Sequence, residues 1–224
     1  MPFIIGHGLA STFIYWLRNK TILVKEWKLL GFYIFCGICP DLDFIPGILI
    51  GHPNRYHHGL SHSFIGSFVI SLILYGFFRL WKKNTTWKDF FFIWGLVSFH
   101  CFLDIYSVDT SYPYGCPLFY PYAGYIISPW VFFQDIHRGS LQELFGPHNR
   151  LAMAIELGVF APPVIAAYLT QAANNRIKKW MIISIWIVTL TCSTAVIYTS
   201  TLKTLISGNK IIFVEANTTH QRGG

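Results

Sequence analysis

The sequence predicts an all-α, multi-pass membrane protein of about five or six helical segments, and three observations carry that prediction. Charge is scarce: only 12% of the 224 residues are Asp, Glu, Lys or Arg, against 53% hydrophobic and 18% aromatic, and the mean hydropathy is +0.45. A soluble globular domain carries about 25% charged residues. This chain therefore has too little polar surface for a folded soluble monomer, and disorder, collagen and coiled coil are excluded with it. The apolar residues fall in runs near the ~20 residues a helix needs to cross the ~30 Å hydrocarbon core. The basic residues, finally, are grouped between alternate runs.

Pro2 to Leu17 and Leu29 to Cys39 are the shorter runs, each fit for a tilted span, a half-span or an interfacial helix. Ser63 to Phe78 is uncharged and closes on Arg79, Trp81, Lys82 and Lys83, which suit interfacial anchors. Phe90 to Tyr106 reads as a span except that it carries His100 and Asp104. Leu157 to Gln171 follows, with Pro162-Pro163 expected to kink it. Met181 to Leu202 is the clearest span, uncharged throughout and long enough to cross the hydrocarbon core. One domain over residues 1–210 and a polar tail over 211–224 account for the chain.

The segments after the first, third and fifth runs hold Arg18, Lys20, Lys25 and Lys28, then Arg79, Lys82, Lys83 and Lys88, then Arg176, Lys178 and Lys179. That is eleven of the 17 Lys and Arg, with only Glu26 and Asp89 among the acids. The positive-inside rule makes that side cytoplasmic and puts both termini outside. The net charge of +7 is then an orientation marker, and no nucleic-acid partner is expected. The first residues lack a basic n-region, so no cleaved signal peptide is expected. Cys36-x-x-Cys39 has no second pair and lies at a helix end, which favours buried small apolar side chains over a zinc or redox motif.

The informative residues are the polar ones inside spans or on the non-cytoplasmic side, because an ionisable group at mid-bilayer costs about 2.5–3.5 kcal/mol on insertion scales. His100 and Asp104 are four apart and share a helix face, as two metal ligands or as a hydrogen-bonded pair tying helices together. Arg55-Tyr56-His57-His58-Gly59-Leu60-Ser61-His62-Ser63 is dense in imidazole, the commonest metal ligand, although a solvated His-rich loop has the same composition. Pro40 ends the second run and sets Asp41 and Asp43 on a turn at the membrane surface, where they serve as oxygen ligands or simply as loop residues. His7 alone reads as a core histidine. Jointly the reading is stronger: the inferred topology brings His7, Asp41, Asp43, His57, His58, His62, His100 and Asp104 to one depth near the outer leaflet. Mixed His and carboxylate ligation without Cys suits Zn²⁺, Mn²⁺ or Fe²⁺, and the number of groups suggests more than one ion.

Pro40-Asp41-Leu42-Asp43, then His57-His58-Gly59-Leu60-Ser61-His62-Ser63, then His100-x-x-x-Asp104 resembles the LexA-binding, inner-membrane-associated, YdjM-like metal-dependent hydrolases. Their signatures read roughly P-D-x-D, H-R-G-x-T-H-S and H-x-x-L-D after an early His that His7 matches. Here His58 stands for the usual Arg and Ser61 for the usual Thr. The resemblance implies a bacterial inner-membrane protein. More distantly, the order of ligands is similar to the zinc-dependent phospholipase C and single-strand nuclease superfamily, which implies two or three Zn²⁺ ions. That superfamily closes its site with a further H-x-x-x-[DE] pair; His137 and His148 are not followed by an acid at that spacing, leaving Asp135, His148 and Glu156 as substitutes. Glu156, an intramembrane carboxylate, needs a partner, and the metal site is the expected one.

Between Thr110 and Gln134 the chain has no charge, four prolines and many aromatics, including Tyr112, Tyr114, Phe119, Tyr120, Tyr122, Tyr125 and Trp130. It reads as a cap in the outer headgroup layer. Arg138 and Arg150 just beyond are candidates to grip a phosphate or to anchor at the interface. The expectation is a hydrolase acting on a membrane-lipid phosphoester, with His7, Asp41, Asp43, His58, His62, His100, Asp104 and Glu156 on metal. His57 or His58 is then the general acid. The rival readings are a metal-binding membrane protein or transporter without hydrolysis, and a membrane anchor for a regulatory protein.

Overall fold

The computed structural model describes residues 3–206 apart from 20–23, 52–54, 108–114, 123, 127, 129, 138–140 and 171–175. The tail from residue 211, Tyr112, Tyr114 and the candidate phosphate ligand Arg138 lie outside the described residues. In chain order the helices are α1 (Ile4–Asn19), α2 (Trp27–Ile38), α3 (Phe44–Leu49), α4 (Phe64–Trp81), α5 (Trp87–Ile105), α6 (Leu141–Leu144), α7 (Pro147–Thr170) and α8 (Arg176–Ile206). Among the described residues no strand forms beyond two isolated bridges, Ser107 with Phe133 and Cys116 with Ile126. The all-α expectation holds.

Among the described residues four stretches are long and apolar enough to cross a membrane: Trp27–Leu49, Phe64–Trp81, Pro147–Thr170 and Arg176–Tyr198. In the first, a 3₁₀ turn over Cys39–Asp43 joins α2 to α3, and Pro40 fits its opening because no amide is required there. The expected surface turn is therefore an interruption within a longer helical segment, and Asp41 is buried. Helix α1 has 16 residues, about 24 Å at 1.5 Å per residue. Helix α5 carries polar groups at both ends. These two helices pack against the crossing stretches, α1 on α2 and α7, α5 on α2 and α4, and against each other.

The outward faces are apolar. Ile65, Val69, Leu72, Ile73, Phe77 and Leu80 are exposed along α4, as are Ile177, Met181, Ile187 and Val188 along α8. Such continuous apolar surface suits lipid, not water. On its inward face α4 presents the buried Ser67 and Ser71; the Ser67 hydroxyl lies 3.1 Å from that of Ser98 and accepts from the Trp94 indole at 3.3 Å. Small hydroxyl residues let α4 and α5 approach closely and hydrogen-bond across the contact. Cys36 and Cys39 are buried, as expected of small apolar side chains.

Helix α7 runs through Pro162 and Pro163 without ending. A proline has no N–H, so the carbonyl four residues earlier loses its intrahelical donor. Pro163 deprives Val159 in this way, and the Thr189 hydroxyl of α8 donates to the Val159 carbonyl at 2.9 Å. A neighbouring helix thus satisfies the group that lipid could not.

The helix ends sort by chemistry. Arg18 near the end of α1 pairs with Asp89 at the start of α5, and the Tyr15 hydroxyl donates to Glu26 at 2.8 Å. Lys28, Arg79, Lys82, Lys83, Lys88, Arg176, Lys178 and Lys179 lie at or just beyond the helix ends that lead through the α1–α2, α4–α5 and α7–α8 connections. The opposite ends carry the histidines. There the aromatic loop closes over the bundle: the Phe64 amide donates to Leu118 at 2.9 Å, the Phe132 amide to Tyr106 at 2.7 Å, and the Ser193 hydroxyl to Phe132 at 2.6 Å. Phe119, Tyr120, Tyr122, Tyr125 and Trp130 project outward from it, as a cap at a membrane–water boundary does.

Candidate metal centre

Four separate segments deliver side chains to one buried point: α1 supplies His7, the Cys39–Asp43 turn Asp41, the Leu60–His62 turn His62, and α5 both His100 and Asp104. All five are buried. His62 Nε2 lies 3.2 Å from His100 Nε2, 3.7 Å from Asp41 Oδ1 and 3.4 Å from Asp104 Oδ2. His100 Nε2 lies 3.4 Å from Asp41 Oδ1 and 3.3 Å from Asp104 Oδ2. Most of these separations exceed the usual hydrogen-bond length. They match the edge of a tetrahedron whose corners stand 2.0–2.1 Å from a central zinc, about 3.3 Å.

The polar accounting points the same way. Both oxygens of Asp41, both oxygens of Asp104 and both ring nitrogens of His7 are buried without a hydrogen bond among the described residues. Buried polar groups are almost always satisfied, and an uncompensated buried carboxylate is among the most costly groups a fold can hold. A cation among Asp41, His62, His100 and Asp104 removes the deficit. Asp104 also reaches further: its Oδ1 lies 3.3 Å from His7 Nε2, and the His7 ring stacks on His100 at 3.7 Å. One carboxylate thus spans two groups of ligands, {His62, His100} through Oδ2 and His7 through Oδ1.

Two further contacts fix which nitrogen faces the centre. His100 Nδ1 lies 2.8 Å from the Gly37 carbonyl, an acceptor only, so Nδ1 carries the proton and Nε2 keeps its lone pair for the centre. On His62, Nδ1 lies 3.0 Å from Asp43 Oδ2, with the same consequence. Carbonyl and carboxylate partners of this kind orient histidine ligands and raise their basicity. Gly37 is required for its own reason: a β-carbon there would stand 1.7 Å from the Ser11 hydroxyl, so α1 and α2 meet at this distance only across glycine. In the ion-free protein burial works against a charged His62, but contacts with Asp41, Asp43 and the Asp104 charge outweigh it and raise its pKa to about 10. The surroundings favour positive charge at that spot.

Asp43 is thereby placed differently from the expectation. Its oxygens face His57 Nδ1 at 3.0 Å, His62 Nδ1 at 3.0 Å and the Ser61 hydroxyl at 2.7 Å. It holds ligands instead of joining the groups able to take an ion. His57 and His58 form such a group with His62; His57 stacks on Phe44 at 3.8 Å and lies 4.2 Å from the His58 ring. His58 has φ 55°, a left-handed conformation uncommon outside glycine and concentrated at functional sites.

Glu156 is a correction to its expected place on metal. Its two oxygens accept from the Phe3 amide at 2.7 Å and the Gly6 amide at 3.1 Å. The free amides at the start of α1 carry partial positive charge and need acceptors, and that is the partner this intramembrane carboxylate finds. A β-carbon at Gly6 would sit 2.4 Å from Glu156 Oε2, so glycine admits the contact. Arg150 is exposed on the first turn of α7, and among the described residues nothing ties it to the centre. Gly37 and Ser61 were not among the expected site residues. The Gly37 contribution is a backbone carbonyl, for which the sequence holds no signal.

No curated protein and no solved structure matches the chain. The model of one family, described as YdjM inner membrane protein, matches residues 1–202. That stretch contains, among the described residues, the four helical stretches able to cross a membrane and the side chains of the candidate centre, and the chain belongs to the YdjM inner membrane protein family.

Proposed function

We propose that this protein is a membrane-embedded, metal-dependent hydrolase that cleaves a phosphoester of a membrane lipid at the outer leaflet. The observation that carries the reading is the set of unsatisfied Asp41, Asp104 and His7 atoms converging, at tetrahedral-edge distances, where the bundle meets an aromatic cap. Asp41, His62, His100 and Asp104 would hold one divalent ion of the Zn²⁺ class, and His7 with the other Asp104 oxygen would contribute to a second. Metal at such a site supplies Lewis acidity toward phosphoryl oxygens and lowers the pKa of water.

The chain's own residues do the rest. Asp43 accepts from His57 Nδ1, which leaves His57 Nε2 as the atom able to carry a proton to a leaving oxygen. Asp43 also holds His62, so one carboxylate aligns the proton donor with a ligand. The exposed aromatics of the cap seat in the headgroup layer and bring lipid to the centre, and Arg150 attracts an anionic headgroup from the rim. The basic ends of the helices lie opposite the centre, so the positive-inside rule directs the centre away from the cytoplasm.

The test measures the metal content of the purified protein, then hydrolysis of a panel of phospholipids and undecaprenyl phosphates with and without chelator, wild type against Asp104→Ala. Chelator-sensitive turnover that is lost in Asp104→Ala is the expected result. Metal without turnover on the whole panel removes the hydrolase; absence of metal removes the centre itself. Reporter fusions that place residues 41–61 in the cytoplasm would reverse the orientation.

A further inference from the structure

A second group of ligand side chains lies outside the centre. Asp135, His137 and His148 present ligand atoms that all lie within 4.8 Å of one another. His148 Nε2 stands 2.8 Å from Asp135 Oδ1, and His137 Nε2 stands 3.6 Å from Asp135 Oδ2. The two imidazole rings stack at 3.9 Å with planes 8° apart, so both Nε2 atoms address the same carboxylate from one side. Two neutral imidazoles and a carboxylate are the ligand set of a borderline divalent ion.

The group is built, not gathered by chance on a loop. Asn149, fully buried and next to His148, accepts from the His137 amide at 2.8 Å and donates to the His137 carbonyl at 2.7 Å. Its amide also donates to the Glu143 carbonyl at 3.0 Å. One buried side chain therefore pins both backbone polar groups of one histidine to the helix turn that carries the other. Asp135 is itself buried, between Phe133 and Ile136 that are buried too. His137 is about half exposed, its side chain at 47%, and His148 at 30%. Solvent therefore reaches the outer side of the group, leaving positions on an ion open to water.

We infer that Asp135, His137 and His148 form a separate, solvent-accessible site for a divalent cation of the Zn²⁺ class. Bound there, the ion clasps the strand of chain 131–137, which leads out of the aromatic cap, to the first turn of α7. The site shares no ligand with the buried centre, so it fills and empties independently and exchanges its ion more readily.

The experiment is a Zn²⁺ titration of full-length protein in detergent, stripped of metal, with Co²⁺ absorption as an independent probe of tetrahedral ligation. Four proteins are compared: wild type, His137→Ala, Asp135→Asn and Asp104→Ala. Because His137 is half exposed, its substitution serves should Asp135→Asn fail to fold. His137→Ala is expected to lose the weaker binding event, with affinity lower by at least about tenfold, while the tighter event persists. Asp104→Ala is expected to keep the weaker event and lose the tighter one, which separates failure of this site from failure of the buried centre. Hydrogen exchange across residues 131–137 should slow on Zn²⁺ addition in Asp104→Ala and stay unchanged in His137→Ala. Equal stoichiometry and affinity in wild type and His137→Ala overturns the site; Zn²⁺ binding without slowed exchange overturns the clasp.

Discussion

Helix α5 carries an aspartate near each end, and the two live in opposite circumstances. Asp89, in the first turn, accepts from the Thr86 amide at 2.7 Å and the Thr86 hydroxyl at 2.9 Å, and pairs with Arg18. The helix N-terminus is where an anion is welcome. Asp104, in the last turn, has a fully buried side chain whose carboxylate makes no hydrogen bond among the described residues and lies at the negative end of the helix dipole. Capping and one ion pair account for the first aspartate, whereas the second finds on its own helix only the His100 imidazole, 3.3 Å away. What Asp104 meets are His100 one turn earlier on its own helix, and His7 and His62 from two other places in the chain. The comparison teaches that Asp89 serves folding, and that Asp104 is kept at a cost which a bound cation would offset.

The sharpest way to break that contrast is to remove Asp104. Asp104→Ala takes an oxygen from each of the two ligand groups at once, so loss of metal should exceed the 10- to 100-fold reduction typical when only an orienting partner is removed, by roughly a further tenfold. Metal content by mass spectrometry after dialysis against a competing chelator measures it. If Asp104→Ala retains wild-type metal, Asp104 is merely a buried carboxylate and the contrast with Asp89 collapses.

Next in size come two residues that act on the ligands without joining them. Asp43→Asn keeps the shape but gives up the charge that faces His57 and His62, and should weaken metal binding by about 10- to 100-fold. If Asp43 is instead a ligand, the loss equals that of Asp104→Ala. Gly37→Ala pushes a methyl into Ser11, an overpacking that costs about 1–3 kcal/mol of stability. It also shifts the carbonyl that orients His100, so thermal stability and metal affinity should fall together, whereas Gly31→Ala, where a β-carbon meets open space on the same helix, should lower neither and should raise stability by about 0.5–1 kcal/mol.

These residues also mark how far the sequence reaches. Scarce charge and runs of apolar residues suffice for an all-α membrane bundle, because the bilayer admits so few alternatives. His100 and Asp104 were legible as a pair because helical spacing alone puts them on one face. That His7 and His62 join them depended on topology, which the basic residues made readable. Glu156 was misplaced because an intramembrane acid announces a need for a partner without saying whether it is an ion or a helix N-terminus; only the packing of α1 on α7 decides. Asp43 and Asp41 are two apart and chemically identical, and the 3₁₀ turn sends one toward His57 and His62 Nδ1 and the other toward His62 and His100 Nε2. The Gly37 carbonyl and the Thr189 hydroxyl that serves Val159 are tertiary contacts of groups with no distinctive sequence signal.

The smallest effect tests the other half of the comparison. Asp89→Ala removes the acceptor for Thr86 and the partner of Arg18, and a lost N-terminal helix partner costs about 1 kcal/mol; the exposed ion pair adds little, because water and salt screen it. The thermal midpoint in detergent should drop by a few degrees at most, roughly as expected for ~1 kcal/mol in a chain of this size. Metal affinity should stay within about twofold of wild type, since sites this far apart with no shared partners behave additively. A drop in metal binding as large as that of Asp43→Asn would mean that the two ends of α5 are coupled. In that event the basic end would be setting the geometry of the ligands as well as the orientation of the bundle, and Asp89 would belong with Asp104 after all.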